Sequence, residues 1–563
     1  MAARVERGWV NFIVDRVFGW WSGLPGESCS YTVEKVRIPI RVHEADGDGE
    51  GREISLAANL YQPTISKPRG TVLVRTSYGI GPLMALSHAR LYAARGYQVL
   101  LAACRGTDAS DGCQFVPAVN EAHDGLATVA WMRDQSWYSG SFGTLGGSYL
   151  GYTQWALLSD PPPDLRAAAI SAGPSNFGGL AWGSGAMGAH LIAWADLMTA
   201  PKRGIAPGPA YIKTQADILQ PVYDGVPLTK AIDKHFQSNA PDWLKLVATD
   251  SKLTDPLFKR MDQSAALDRV DIPILQITGW QDTMLSEVVH QHGALAKRGK
   301  QASITVGPWS HLGAQRQTIA ESFAFLDEHL GGRAPKTPRL TPVRVYMTGA
   351  GEWRNYATWP PSRASTHELY LGPQQTLSSH QPSDDASEST STFHFDPTNP
   401  TPNIGLPRAF DGVIPASYVD TALAERSDVV VFTSAPLEAD LESCGQPLVE
   451  LYHSSDNPNV DIMVRLSEVD AKGSSTRISD RYKRLDPARA EGPIKMELTP
   501  CAHRFRRGSR IRIIIAGSAH PAYIRNLGTG ENQATGDSTK PACHVVRHSA
   551  DFMSKISLPV IAT

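Results

Sequence analysis

Neither sign of charge is in excess in this 563-residue chain, where Lys and Arg number 54, Asp and Glu 56, and the formal charge is −2. That balance excludes a general nucleic-acid binder, which needs a basic surplus, and an acidic disordered chain. Cysteine is scarce and unpatterned. The six residues, Cys29, Cys104, Cys113, Cys444, Cys501 and Cys543, include no CxxC pair, which leaves little basis for a disulfide framework or a zinc ribbon. Long apolar runs are lacking too. The best early stretch, Trp9 to Trp21, is broken by Asp15 and Arg16 and has no small-residue cleavage site. It reads as neither signal peptide nor membrane span, but as an aromatic amphipathic helix covering a domain. No internal repeat is present. The expectation is a soluble cytoplasmic protein that engages neither nucleic acid nor membrane.

What is present is turn-forming residues, Gly 48 and Pro 40, in a chain long enough for roughly three to four domains. A hairpin is expected from Lys35–Val42 and Glu53–Tyr61. Its Asp46–Gly51 loop offers Asp46, Asp48 and Glu50 as calcium ligands, but Ala57 stands where the EF-hand's bidentate glutamate belongs. Strand-length apolar runs then alternate with helical patterns. Strands fall at Thr71–Arg75, Tyr97–Ala103, Phe142–Gly146 and Ala167–Ile170, with helices at Ala85–Arg95, Asn120–Asp134 and Tyr149–Leu158. This is the signature of βαβ units and a parallel sheet. From about 174 to 265 the pattern is helical, a plausible lid over the strands' C-terminal ends. Strands return at Ile272–Thr278 and Ser303–Val306, followed by a helix at Ala314–Leu330. Beyond Arg339, short strands such as Val343–Met347, Val429–Thr433, Leu448–His453, Asp461–Val469 and Arg510–Ile515 predict a β-sandwich or jelly roll. The Arg504–Arg512 basic run fits strand alternation better than nucleic-acid binding.

The strongest local signal is Gly146-Gly147-Ser148-Tyr149-Leu150-Gly151, set between an expected strand and an expected helix. A serine hydroxyl becomes a useful nucleophile only when exposed beside a base. A sharp strand-to-helix turn with small flanking residues exposes it, and the helix that follows points amide N–H groups at a developing oxyanion. The usual five-residue motif has glycine at position 150; here Leu150 stands there and Gly151 follows. In such folds the order along the chain is Ser, Asp, His. One late strand runs into Gly279-Trp280-Gln281-Asp282, the next into Gly307-Pro308-Trp309-Ser310-His311. Singly, Asp282 could cap a helix and His311 could be a loop histidine. Two strand-end residues of the right type in the right order favour a Ser148–His311–Asp282 triad. The Tyr149 amide is one oxyanion donor. The second should come from Thr76-Ser77-Tyr78-Gly79, where Tyr78 serves packing or catalysis equally well. His290 and His292, two apart, would face different ways on a helix and share no metal. His88 and His123 have no matching partner. Arg105, Asp108 and Asp111 follow a strand and suit a network supporting the elbow.

These residues resemble the cocaine esterase and X-prolyl dipeptidyl aminopeptidase family of α/β-hydrolases. The matching pieces are Arg105-Gly106 with Ser110 and Gly112, then Glu121, Asp124 and Trp131, the Gly146–Gly151 elbow with Gln154-Trp155, and the two strand-end motifs. In the C-terminal part they are Asp396-Pro397, Phe432-Thr433-Ser434 and Ser455-Asp456 with Asp461. The resemblance implies an α/β-hydrolase core (1–174 and 266–340), an inserted helical cap (175–265) and a C-terminal jelly roll (341–563). It implies Ser148 as nucleophile, His311 as base, Asp282 as orienting acid and Tyr78 as hydroxyl donor beside the Tyr149 amide, although Ser77 and Gly79 flank Tyr78 where the family often has proline and lysine. Family members that take amino acid esters carry acidic residues after the catalytic aspartate. Thr283, Met284 and Leu285 stand there instead, and an unpaired buried ammonium is costly. An apolar acyl group against Phe177, Trp182, Trp194, Met198 and Met284 is the better expectation. The expected partner is a small-molecule ester or amide, with no metal or organic cofactor, and homo-oligomerisation is left open. The competing readings are an X-prolyl dipeptidase, an acyltransferase and a silent binding protein on the same scaffold.

Overall fold

The structure is a computed structural model describing residues 4–42, 51–112, 114–205, 208–313, 315–335, 337–382, 390–405 and 418–562. The loop with Asp46, Asp48 and Glu50, and Cys113, lie outside these residues. The chain divides into two units, the first comprising Met1–Gly179 and Leu253–Pro342, the second Leu180–Lys252 and Val343–Thr563.

Nine strands of the first unit belong to one sheet: β1 (Val5–Glu6), β2 (Tyr31–Arg41), β3 (Glu53–Pro63), β4 (Thr71–Thr76), β5 (Gln98–Ala103), β6 (Phe142–Gly147), β7 (Leu165–Ser171), β8 (Ile274–Gln281) and β9 (Ala302–Ser310). They lie in the order β1-β2-β3-β5-β4-β6-β7-β8-β9. The first three join antiparallel; from β5 to β9 every pairing is parallel. Parallel strands are covered on both faces, hence their unbroken apolar runs. Val72, Val74, Val99 and Leu101 pack on one side with Tyr92, Phe323 and Leu326. Leu73, Leu100, Ala168 and Ile170 pack on the other with Met132, Trp155 and Leu295. The winding direction reverses at β4, which lies between β5 and β6, and the crevice beyond the carboxyl ends at such a point is where ligands bind in this architecture.

The second unit joins a helical stretch to an all-β body, mostly antiparallel, whose core gathers Phe432, Ile462, Val464, Ile513 and Ile515. The helices are tied to this body by Arg484 N–H on Ser184 O at 2.7 Å and Thr229 N–H on Ala534 O at 3.0 Å. The basic run is spent on sheet contacts: Arg504 donates to Glu442 at 2.7 Å and Arg512 to Thr433 Oγ1 at 3.1 Å.

One sequence expectation is corrected here. The helix Trp9–Trp21 forms, but its buried residues are Asp15 and Gly19, while Trp9, Val10, Phe12, Ile13, Val14, Val17, Trp20 and Trp21 are exposed. The helix does not cover the domain with its apolar face.

Candidate active site

Four carboxyl ends of the parallel sheet supply the site. After β6, Ser148 takes φ 57° and ψ −124° before the helix Tyr149–Leu158 begins, a left-handed backbone that a non-glycine residue holds only where its surroundings enforce it. The enforcement is visible. Ser148 N–H donates to Ser171 O at 2.8 Å, and its carbonyl accepts from Gly151 at 2.8 Å and Tyr152 at 3.1 Å. A Cβ on Gly151 would lie 2.5 Å from Gly173 Cα. The glycine needed for close helix-to-strand approach is therefore at 151, which leaves Leu150 free to be a buried core residue. Gln154 and Trp155, singled out in the sequence, hold the same turn: Gln154 Nε2 donates to Gly146 O and Trp155 Nε1 to Gly173 O, each at 3.2 Å.

Asp282 follows β8 and His311 follows β9, where the pairing of the two strands shifts register between Gly279 and Gln281. Such a bulge bends a strand end and re-aims the next side chain. Trp309 fills the space: a Cβ on Gly279 would meet its carbonyl at 1.9 Å and one on Gly307 its ring at 2.3 Å, and its indole N–H donates to Thr278 O at 3.0 Å. The structure thus brings His311 Nε2 to 2.9 Å from Ser148 Oγ, and His311 Nδ1 to 2.9 Å from Asp282 Oδ1. Asp282 also accepts from Thr278 Oγ1 at 3.2 Å and from Met284 N–H at 2.9 Å. Burial alone would lower the His311 pKa, but the charge and hydrogen bond of Asp282 outweigh it and hold the pKa above the ordinary imidazole value.

Tyr78, on the loop after β4, sets its hydroxyl 3.4 Å from Ser148 Oγ. Its loop is braced by Thr76 Oγ1, which accepts Tyr78 N–H at 3.0 Å, and by Asp108, which accepts Ile80 N–H at 2.8 Å. Tyr149 opens the helix, and its side chain carries a role the sequence reading missed. The hydroxyl donates to Glu121 and accepts Ala118 N–H at 2.8 Å. Glu121 in turn pairs with Arg75 at 3.0 Å, all of it buried. Desolvation raises the Glu121 pKa despite Arg75. Nearby, Arg105 forms a buried pair with Asp124 at 2.6 Å, whereas Asp111 is exposed and holds Ser55 and Arg37. The acid at Glu121 was legible only as a family match, because nothing in local spacing pairs it with Tyr149, 28 positions away.

The expected pocket residues divide. Phe177 and Met284 are buried in the first unit. Trp182, Trp194 and Met198 belong to the second, where Trp182 Nε1 donates to Val247 O at 2.8 Å and Trp194 packs on Trp243 at 5.4 Å between ring centres. His290 is exposed and His292 buried, its pKa pushed down to about 4 by burial.

The strand order with its switch point and the residues at the carboxyl ends define an α/β-hydrolase. Residues 48–313 match the X-Pro dipeptidyl-peptidase (S15 family), and 336–557 match the X-Pro dipeptidyl-peptidase C-terminal non-catalytic domain. The chain is 25% identical over 580 residues to the cocaine esterase of Rhodococcus sp. (strain MB1 Bresler), covering 94% of this chain and 99% of that protein. Among solved structures it resembles an aminopeptidase from a marine sediment archaeon, Thaumarchaeota archaeon (22% identity, TM-score 0.75, 94% of this chain and 96% of that one). It also resembles an α-amino acid ester hydrolase (21%, TM-score 0.74, 96% and 98%). The chain belongs to the cocaine esterase and X-Pro dipeptidyl-peptidase family of serine hydrolases. Among the described residues no helix is long and apolar enough to cross a membrane.

Proposed function

We propose that this enzyme hydrolyses small-molecule carboxylic esters through an acyl-enzyme on Ser148. His311 Nε2 accepts the Ser148 hydroxyl proton as Oγ attacks the carbonyl. Asp282 accepts the Nδ1–H, holding the productive tautomer and stabilising the imidazolium. The Tyr78 hydroxyl and the Tyr149 N–H bind the oxyanion. His311 then protonates the leaving alcohol, and water repeats the attack to release the acid. The observation carrying this reading is the continuous contact from Asp282 through His311 to Ser148, two steps of 2.9 Å.

The family match also speaks for an X-Pro dipeptidyl peptidase, which must pair a free N-terminal ammonium. Glu287, the next carboxylate after Asp282, argues against that use. It accepts from Ser175 N–H and Oγ, at 2.5 and 2.9 Å, and from Asn176 N–H at 2.9 Å, so it is committed to the loop after β7. Turnover of aryl esters against a dipeptidyl-proline anilide separates the readings, and faster cleavage of the anilide would reverse the assignment. A fluorophosphonate should label the native enzyme and not Ser148→Ala. Labelling that survives the substitution would remove Ser148 from the mechanism.

A further inference from the structure

The helix Trp9–Trp21 docks by its polar edge. Asp15 receives Arg7 at 2.9 Å, Arg90 at 2.6 Å and the Tyr31 hydroxyl at 2.9 Å, and Arg7 also pairs with Glu27 at 2.6 Å. Gly19 sits so close to the domain that a Cβ there would lie 2.5 Å from Arg95 Nη2. At helical spacing Asp15 and Gly19 share one face. The opposite face carries Trp9, Val10, Ile13, Val14, Val17, Trp20 and Trp21, with Trp20 80% and Trp9 74% exposed. Burying an ion cluster costs desolvation, and leaving large apolar side chains in water forgoes their burial energy. Half a turn of the helix would avoid both costs. The observed orientation is favourable only if the outer face is covered.

Its extent and pattern say by what. The exposed side chains amount to on the order of 800 Å², more than monomers usually carry as one patch and about one partner's share of a standard specific interface. Val10, Ile13, Val17 and Trp20 are spaced three, four and three apart, the seam of two heptads. Of the arginines on and beneath the helix, Arg7, Arg90 and Arg95 have buried side chains, and the two that reach solvent, Arg4 and Arg16, are paired with Glu34 and Glu27. With both outward arginines paired, the face offers an anionic lipid surface little besides apolar contact, which suits a second apolar face better. The helix also precedes the stretch 48–313 shared with the hydrolase family. We propose that this face pairs with the same face of a second copy of the chain, forming a two-fold dimer.

Sedimentation velocity of the full chain at micromolar concentration tests this. The native protein should sediment as a dimer, and both Val17→Glu and Val17→Lys should halve the sedimenting mass while leaving far-UV circular dichroism and fluorophosphonate labelling unchanged. A native monomer, or a dimer indifferent to both substitutions, overturns the proposal. Flotation with phosphatidylcholine–phosphatidylserine vesicles is the second arm. A native monomer that floats, with flotation lost in Val17→Glu, would transfer the face to a lipid surface.

Discussion

At the residue scale the proposed mechanism depends on one imidazole, His311, whose protonation Asp282 biases. His311 must be neutral to accept the serine proton, and its pKa is raised by Asp282 against the pull of burial. The sign follows: kcat/KM should fall as pH drops through a value above the ordinary ~6.5 of histidine. Asp282→Asn removes the charge that raises it, so the acid limb of the profile should move to lower pH while kcat falls about 10⁴-fold. A limb unmoved by this change would detach Asp282 from His311. Tyr78→Phe keeps the ring and deletes the hydroxyl 3.4 Å from Ser148 Oγ. Loss of one oxyanion donor should lower kcat about 10²- to 10³-fold with KM little altered. A change confined to KM would make Tyr78 a binding residue. That Ser148, Asp282 and His311 could meet was legible in the sequence because each follows a strand and their order is constrained. The Tyr149–Glu121–Arg75 contact was not, since it joins a helix, another helix and a strand through side chains that no local pattern relates.

Elements, more than individual groups, decide how closely these residues approach. The helix Tyr149–Leu158 comes close to the backbone just beyond β7 because Gly151 and Gly173 leave room for it. Gly151→Ala places a methyl where Gly173 Cα stands, so the helix must move and the elbow opens. The expected outcome is a loss of about 1–3 kcal/mol in stability together with a fall in labelling rate, read by urea denaturation and by fluorophosphonate kinetics. A stable variant that labels slowly would assign Gly151 to positioning alone; unchanged values in both would remove the contact's importance. Strands and helices were anticipated within a few residues because the parallel sheet's apolar runs contrast with helical spacing. One local departure escaped. The expected helix Ala85–Arg95 begins at Pro82 and passes through a π-helical turn at Leu86–Arg90, which carries Arg90, the ion-pair partner of Asp15. The partner lies 75 positions away, so periodicity had no means of revealing it.

At the scale of the whole molecule, two units divide the work. The first holds the site. In the second, the helices are joined through a buried polar cluster around Asp196 that should make this unit's stability sensitive to acid. Asp196 is fully buried and accepts from Arg203 at 2.5 Å, His235 at 2.8 Å, Tyr211 at 2.5 Å and Gln215 at 2.8 Å. Burial alone would raise its pKa, but the hydrogen bonds from His235, Tyr211, Gln215 and Arg203 hold it well below the usual carboxylate range. Its contribution is therefore present above the unfolded carboxylate pKa and is lost as pH falls through the folded value. Asp196→Ala leaves cationic and hydroxyl partners without their acceptor and should cost about 3–5 kcal/mol near neutral pH. The penalty should shrink in acid, as followed by thermal melting across pH. A penalty that did not depend on pH would mean that packing, not charge, is what Asp196 supplies.

Composition and spacing by themselves pointed to a parallel sheet with a candidate nucleophile at a strand end, and the resemblance supplied the hydrolase class. Alternating buried strands and helices admit few arrangements, and a serine at a glycine-rich strand-to-helix turn, followed in order by strand-end Asp and His, favours acyl-transfer chemistry. Tertiary structure alone decided which face of the first helix turned outward and where the elbow's close-packing glycine lies. These outcomes depend on contacts between segments far apart in the chain. Whether Asp15 is worth burying depends on Arg7, Arg90 and Tyr31 arriving together, and a linear pattern records the residues without recording that meeting.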